Sequence, residues 1–256
     1  MRKRSIGTGS QTTTYLVIGG SSGLGRSLAE RLASAGHSLA LVSSDLRDTQ
    51  ALASDLALRW GVTASPVMLD LSAREVSLAA LDDALAVLPP LAGLMLPAGM
   101  NRAGDVPGQA PDAFVALTNA NYTNLCRIID RYLPRLGLAS HGLIVGFGSI
   151  AATRGRKRNA AYSAAKRALQ SYFESLRHSL AGSNILVQFY VLGYLDTNLA
   201  FGQRTALPRA SPHRLADFVY RRRASDFGVS YYPRFWFLVC TVLRALPWTI
   251  FRRLSF

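Results

Sequence analysis

Tyr162 and Lys166 stand four residues apart in a segment, Ala160–Leu180, whose apolar spacing predicts a helix, so the two side chains share one face. A lysine ammonium beside a phenol favours the phenolate, and is expected to lower the tyrosine pKa from about 10. Tyr162 is therefore a candidate general acid/base near neutral pH. A tyrosine and a lysine at this spacing also occur as a plain surface pair on many helices. Ser149 favours the catalytic reading. It lies thirteen residues before Tyr162, just past a strand-like run at Gly142–Gly146. Asn121, in the long helix-like segment before that run, is a fourth candidate.

A second group of residues has the chemistry to hold phosphate. Ile18 is followed by Gly19, Gly20, Ser21, Ser22, Gly23, Leu24 and Gly25, between a candidate strand and a candidate helix. Glycines let the backbone approach a pyrophosphate, and a helix N-terminus supplies amide hydrogens and a positive dipole end. Tight strand-to-helix turns use glycine as well, but the position after the first strand favours a nucleotide. Ser43, Ser44 and Asp45 follow the second strand. A carboxylate at a strand end would hold the ribose hydroxyls of NAD, and an arginine would accept the 2′-phosphate of NADP. Ser44 is neither and Asp45 falls late. Arg26 suits a phosphate or is a solvated helix residue. The cofactor reads as NAD(H) or NADP(H).

The elements that must position these groups alternate along the chain. Candidate strands are Thr14–Gly19, Ser38–Ser43, Ala64–Asp70, Gly93–Ala98, Gly142–Gly146 and Asn184–Val191. Helix-like segments lie at Leu24–Ala35, Leu46–Trp60, Val76–Val87, Asp112–Leu136 and Ala160–Leu180. This order predicts an α/β fold, a doubly wound parallel sheet in one domain over residues 14–231, with ligands beyond the carboxyl ends of the strands. A flexible basic stretch, 1–13, is expected before it and an amphipathic tail, 232–256, after it.

Of 256 residues 49% are hydrophobic and 17% charged, as in a globular chain. The net charge of +14 calls for an anionic partner: nucleic acid, anionic lipid or a phosphorylated substrate. No stretch resembles a nucleic-acid module, so no nucleic acid is expected. Cys126 and Cys240 are far apart and outside any ligand spacing, which predicts a reducing compartment and no metal. Ser5–Thr14 is polar where a signal peptide needs an apolar run, so the expected location is cytoplasmic. The tail, Arg234 to Arg253, mixes aromatics with arginines and is too short to span a bilayer. It suits a helix lying in an anionic membrane surface, or one packed on the domain or a second subunit.

With loop, Asn121, Ser149, Tyr162 and Lys166 in view, the chain resembles the short-chain dehydrogenase/reductase family over nearly its whole length. The family carries a TGxxxGxG loop, an acid after strand three, an NNAG turn after strand four and an Asn-Ser-Tyr-Lys tetrad. Here the loop is Ile18 to Gly25 and the tetrad Asn121, Ser149, Tyr162 and Lys166. The resemblance implies a Rossmann-type domain and a dinucleotide also touching Ser44, Asp70, Leu71, Ala98, Gly99, Gly193 and Thr197. It implies that Tyr162 gives a proton to a carbonyl oxygen held by Ser149. Lys166 would tune Tyr162 and hold the nicotinamide ribose, and Asn121 would place a water. Ile18 replaces the usual Thr, and Leu192 the Pro before Gly193. Leu96-Pro97-Ala98-Gly99 replaces NNAG, removing an amide hydrogen and a polar side chain from that turn.

Arg154, Arg156, Lys157 and Arg158 lie between Ser149 and Tyr162 and border the substrate in the family fold. They suit a substrate phosphate, or are a solvated loop. With the tail they resemble a subgroup that includes decaprenylphosphoryl-2-keto-ribose reductases. Those enzymes reduce a keto-sugar linked to a polyprenyl phosphate, the second half of an epimerisation begun by a flavin oxidase. That resemblance implies a lipid-linked substrate, a partner flavin oxidase and a place on the inner face of the membrane. The alternatives are another apolar carbonyl, such as a 3-oxoacyl chain or a steroid-like alcohol, and a non-catalytic dinucleotide-binding scaffold. A homo-oligomer is expected from the long helices Asp112–Leu136 and Ala160–Leu180, which resemble those the family pairs.

Overall fold

A computed structural model describes residues 12–102, 104–108, 111–197 and 209–254. Residues 1–11 of the expected basic stretch lie outside them.

Seven strands form one all-parallel sheet in the order β3-β2-β1-β4-β5-β6-β7. They are β1 Thr14–Ile18, β2 Ser38–Ser43, β3 Ala64–Met68, β4 Leu91–Leu96, β5 Gly142–Ser149, β6 Ile185–Leu192 and β7 Val229–Tyr232. Helices α1 Gly23–Ala33, α2 Leu46–Trp60, α3 Ala79–Ala86, α4 Pro111–Thr118, α5 Asn124–Gly137 and α6 Ala160–Ser179 follow in chain order. Then come α7 Pro212–Arg221, α8 Trp236–Ala245 and α9 Trp248–Phe251. The strand order reverses between β1 and β4, and a crevice opens there beyond the carboxyl ends of the strands.

Alternation along β1 shows why both faces are covered. Leu16 and Ile18 join a core with Ile128, Ile129, Tyr132 and Phe173, whereas Tyr15 and Val17 join one with Leu28, Leu32, Leu215 and Val219. α2 begins where Asp45 accepts from the amide of Asp48 and ends at Gly61, whose φ of 65° L side chains rarely adopt.

The sheet bears out the doubly wound expectation, with differences at the edges. The expected helix Asp112–Leu136 is divided: a π-helical turn, Asn119–Thr123, separates α4 from α5. The side-chain amide of Asn121 donates to Leu117 O, the carbonyl its own N–H would use in an α-helix, and the ladder shifts to i→i+5. The expected helix Val76–Val87 shortens to α3. β5 runs on to Ser149, so the serine is the last residue of a strand. β7 carries no sequence signal that separates it from the tail, and it ends at Tyr232, one residue past the expected end of the domain.

The tail packs on the domain with one face. Trp236, Cys240 and Phe251 are buried, and Thr153 Oγ1 donates to Cys240 Sγ at 3.1 Å. Phe237, Leu238, Val242, Trp248 and Ile250 are exposed. Among the described residues no helix is long and apolar enough to cross a membrane.

Candidate active site

The crevice is a cleft of about 650 Å³. Its lining includes Gly19, Ser21, Ser22, Gly23, Leu24 and Gly25 on one side and Ser149, Tyr162 and Lys166 on another. Ser44, Asp70, Leu71, Ala98, Gly99, Gly193 and Thr197 also line it.

The glycine turn is built for close approach. A Cβ on Gly25 would stand 1.8 Å from the carbonyl oxygen of Gly19, so only glycine lets α1 start this near β1. Ser22 sits at the helix start and makes no side-chain cap, leaving the first amides of α1 directed at the cleft without a protein partner from that hydroxyl. Ser21 Oγ pairs with Ser43 Oγ at 2.8 Å and ties the turn to β2. Across the cleft, a Cβ on Gly99 would meet Asn121 Oδ1 at 3.4 Å and Lys166 Nζ at 3.5 Å. The amides of α1 and the space beside these polar groups fit a dinucleotide.

The strand-four turn is held by backbone and by Lys166. Ala98 N donates to Ile18 O at 2.9 Å, and Lys166 Nζ donates to Ala98 O at 3.0 Å and to Phe147 O at 3.2 Å. Burial lowers the Lys166 pKa to about 8. Tyr162, one turn earlier on α6, lies beside the Ser149 hydroxyl. Its pKa is raised: burial outweighs the opposing effects of the Ser149 hydrogen bond and the Arg156 charge. This corrects the expected lowering. The Lys166 ammonium faces two carbonyls, and desolvation dominates at the phenol.

Asn121 is fully buried in the π-turn. Its Oδ1 accepts from Met100 N at 3.1 Å, and its Nδ2 donates to Met100 O at 2.8 Å and Leu117 O at 2.9 Å. The side-chain amide thus anchors the loop after β4, and its three bonds are to protein backbone.

The arginine loop divides. Arg156 lines the cleft near Tyr162, whereas Arg158 is exposed and outside the lining. Arg154 turns to the tail: Nη1 donates to Leu243 O at 3.1 Å and to Leu246 O, and the guanidinium lies 4.0 Å from the centre of the Phe251 ring. Its expected contact with substrate phosphate gives way to a bond that holds α8 and α9.

Two contributors carry no sequence motif. Asp105 is buried, and its carboxylate accepts from Ala161 N and Tyr162 N, each at 2.9 Å, capping the helix that bears Tyr162. Nothing in its Gly- and Pro-containing neighbourhood marks it. Trp236 packs so closely on Gly193 that a Cβ there would stand 1.9 Å from the indole nitrogen. Among the described residues no group of three or more His, Cys, Asp or Glu side chains is placed to hold a metal.

Residues 13–207 match the family model described as short chain dehydrogenase. An uncharacterized oxidoreductase of Myxococcus xanthus is 31% identical over 195 residues, 76% of this chain and 77% of that protein. A very-long-chain 3-oxoacyl-CoA reductase of Podospora anserina is 30% identical over 208 residues, 78% of this chain and 59% of that enzyme. Among solved structures, a short-chain dehydrogenase from Sphingobium yanoikuyae in complex with NADPH superposes with a TM-score of 0.78 at 27% identity. It covers 95% of this chain and 96% of its own.

Proposed function

We propose that this chain, which belongs to the short-chain dehydrogenase/reductase family, reduces a ketone on an amphiphilic, phosphate-bearing substrate at the expense of NADPH. As a family member it is an oxidoreductase that uses NAD(P)(H). The observation that carries the catalytic reading is the meeting of Ser149, Tyr162 and Lys166 on a cleft that also holds the glycine turn.

When bound, the cofactor would supply a hydride to the substrate carbon, and the chain's own groups manage the charge. The raised pKa of Tyr162 keeps a proton on the phenol at neutral pH, ready for the carbonyl oxygen as negative charge develops there. The Ser149 hydroxyl, beside Tyr162, is placed to donate to the same oxygen. Lys166, anchored on Ala98 and Phe147, is placed to hold the nicotinamide ribose.

The adenosine end favours NADPH. Ser21, Ser43 and Ser44 line it with hydroxyls, and the Asp45 carboxylate is engaged as the cap of α2. The neighbour that carries NADPH agrees with this preference.

A keto-sugar on a polyprenyl phosphate fits three features together. Arg156 offers a phosphate partner beside Tyr162, and the exposed aromatics of α8 and α9 offer an apolar surface for the lipid. No carboxylate follows Asp226, while Arg234, Arg244, Arg252 and Arg253 flank those aromatics. Attraction of basic residues to anionic lipid is worth about 1 kcal/mol each near the surface. The reading places the protein on the inner face of the membrane, as a homo-oligomer. There it completes an epimerisation whose ketone a flavin oxidase supplies, within cell-envelope polysaccharide assembly.

The Podospora relative favours a second reading, a 3-oxoacyl chain bound along the apolar lining of Met100, Ile150, Leu192 and Leu195. A steroid-like alcohol would use the same wall. NADPH oxidation by the full chain, with polyprenyl-phosphate keto-pentoses and 3-oxoacyl thioesters side by side, tests the choice. Preference for the thioester would overturn the sugar reading. Tyr162→Phe should lose activity by about 10²–10⁴-fold, and undiminished biological function in that variant would favour the scaffold. Flotation with anionic vesicles tests the surface, and a protein that stays unbound refutes it.

A further inference from the structure

Three asparagines occur within six residues: Asn119, Asn121 and Asn124. At the regular α-helical repeat, positions 119 and 124 would point about 140° apart. The π-helical turn between them, closed by the Asn124 amide on Asn119 O, brings both side chains onto one loop. Asn119 Nδ2 donates to Ser72 O at 3.3 Å and Ala73 O at 3.0 Å. Asn124 Nδ2 donates to Leu71 O at 2.9 Å and to the same Ala73 O at 3.0 Å. Both side chains are buried. One turn on, Arg127 Nη1 donates to Arg74 O at 3.3 Å and to Asn124 Oδ1 at 3.4 Å.

The held segment is the cleft wall after β3. Asp70, Leu71 and Ser72 line the cleft, and Asp70 Oδ1 accepts from Ser72 N at 2.8 Å and Ser72 Oγ at 2.7 Å. Leu71 packs against the core, and no helix or strand runs through this wall. Ala73 N reaches Asp70 O only at 3.3 Å, and α3 begins several residues later, at Ala79. The loop's carbonyls are thus satisfied from behind by two amide groups that sit 46 to 53 positions further along the chain.

We infer that Asn119 and Asn124 are positioning residues for the adenine half of the dinucleotide. They fix the wall that meets that half, while Asn121 between them fixes the loop beside Lys166. One π-turn therefore sets the spacing between the two ends of the cofactor site. The inference rests on the dinucleotide reading of the cleft.

Removing either amide leaves one part-buried carbonyl, Ser72 O or Leu71 O, without its side-chain donor while Ala73 O keeps the other, and loosens only the adenine-side wall. Calorimetric binding of ADP-ribose, which carries the adenine half and no nicotinamide, reads the effect without turnover. Asn119→Ala and Asn124→Ala should each raise its dissociation constant at least five-fold. The KM for NADPH should rise by a similar factor, with kcat at saturation within two-fold of the parent. A merely structural role would instead lower kcat through loss of folded protein and leave both affinities unchanged; that result overturns the proposal. If Asn124→Ala fails to fold, Asn119→Ala, which keeps both Asn124 bonds, decides the matter. Parent protein that does not bind ADP-ribose or NADPH at all would overturn the cofactor reading itself. Normal parent binding with unaltered variants would overturn only the clamp.

Discussion

Lys166 Nζ lies 3.0 Å from the carbonyl oxygen of Ala98, so the ammonium on α6 closes the turn that follows β4. Leu96 and Pro97 stand where the family has two asparagines, and the turn is held by Lys166 Nζ on Ala98 O and by Ala98 N on Ile18 O. The same bond keeps a cation fully inside the protein, where Nζ donates to the carbonyls of Ala98 and Phe147.

That burial makes stability depend on pH. Burial lowers the Lys166 pKa from 10.5 to about 8, so between those values the unfolded chain binds more protons than the folded one. The cost of the buried charge is present in full below pH 8 and is relieved as pH rises toward 10.5. Urea unfolding of the parent and of Lys166→Met should show the parent gaining relative stability between pH 7.5 and about 9.5. A difference that stays flat over that interval contradicts the buried ammonium.

Tyr162 and Arg156 set how each direction of turnover depends on pH. A phenol with a raised pKa is protonated at neutral pH, which suits reduction; alcohol oxidation needs the phenolate and should climb about ten-fold per pH unit below that pKa. Arg156 lowers the same pKa, so Arg156→Met should move the oxidation profile to higher pH, and Arg156→Lys should restore most of it. An oxidation rate independent of pH around neutrality would show a phenolate already formed.

Arg154 is expected to behave unlike its neighbour. Its bonds to Leu243 O and Leu246 O and its contact with Phe251 fasten the tail. Arg154→Ala should cost about 1–3 kcal/mol of stability, a Tm lowered by several degrees, and expose the segment 236–254 to protease. The KM for a phosphate-bearing substrate should stay near the parent value. A raised KM with unchanged Tm would return Arg154 to the substrate site.

Cofactor choice is testable at the end of β2. Ser44→Asp would put a carboxylate where the cleft lining now has a hydroxyl. It should shift kcat/KM from NADPH toward NADH by at least ten-fold. An unchanged ratio would place the discriminating contact elsewhere.

The sheet was legible because its strands carry strong local patterns: apolar runs, spaced by helices, with a glycine turn after the first. Ser149, Tyr162 and Lys166 could be named from type and spacing, since position along one helix and at one strand end is set by local periodicity. The break in the helix at Asn119–Thr123 was not legible, because it depends on the Asn121 side chain taking Leu117 O and meeting Met100 in the loop after β4. β7 was missed for a similar reason: four residues become a strand only when β6 offers an edge.

Sequence alone determined the fold class, the glycine turn and the identity of the groups on the cleft, all of which follow from short-range pattern. Tertiary structure decided which way charges point and what each is worth. Arg154 and Arg156 are two residues apart, yet one fastens the tail and the other borders the cleft. The phenol of Tyr162 rises where the local pair predicts a fall, because desolvation is set by everything packed around a group and not by its neighbours in the chain.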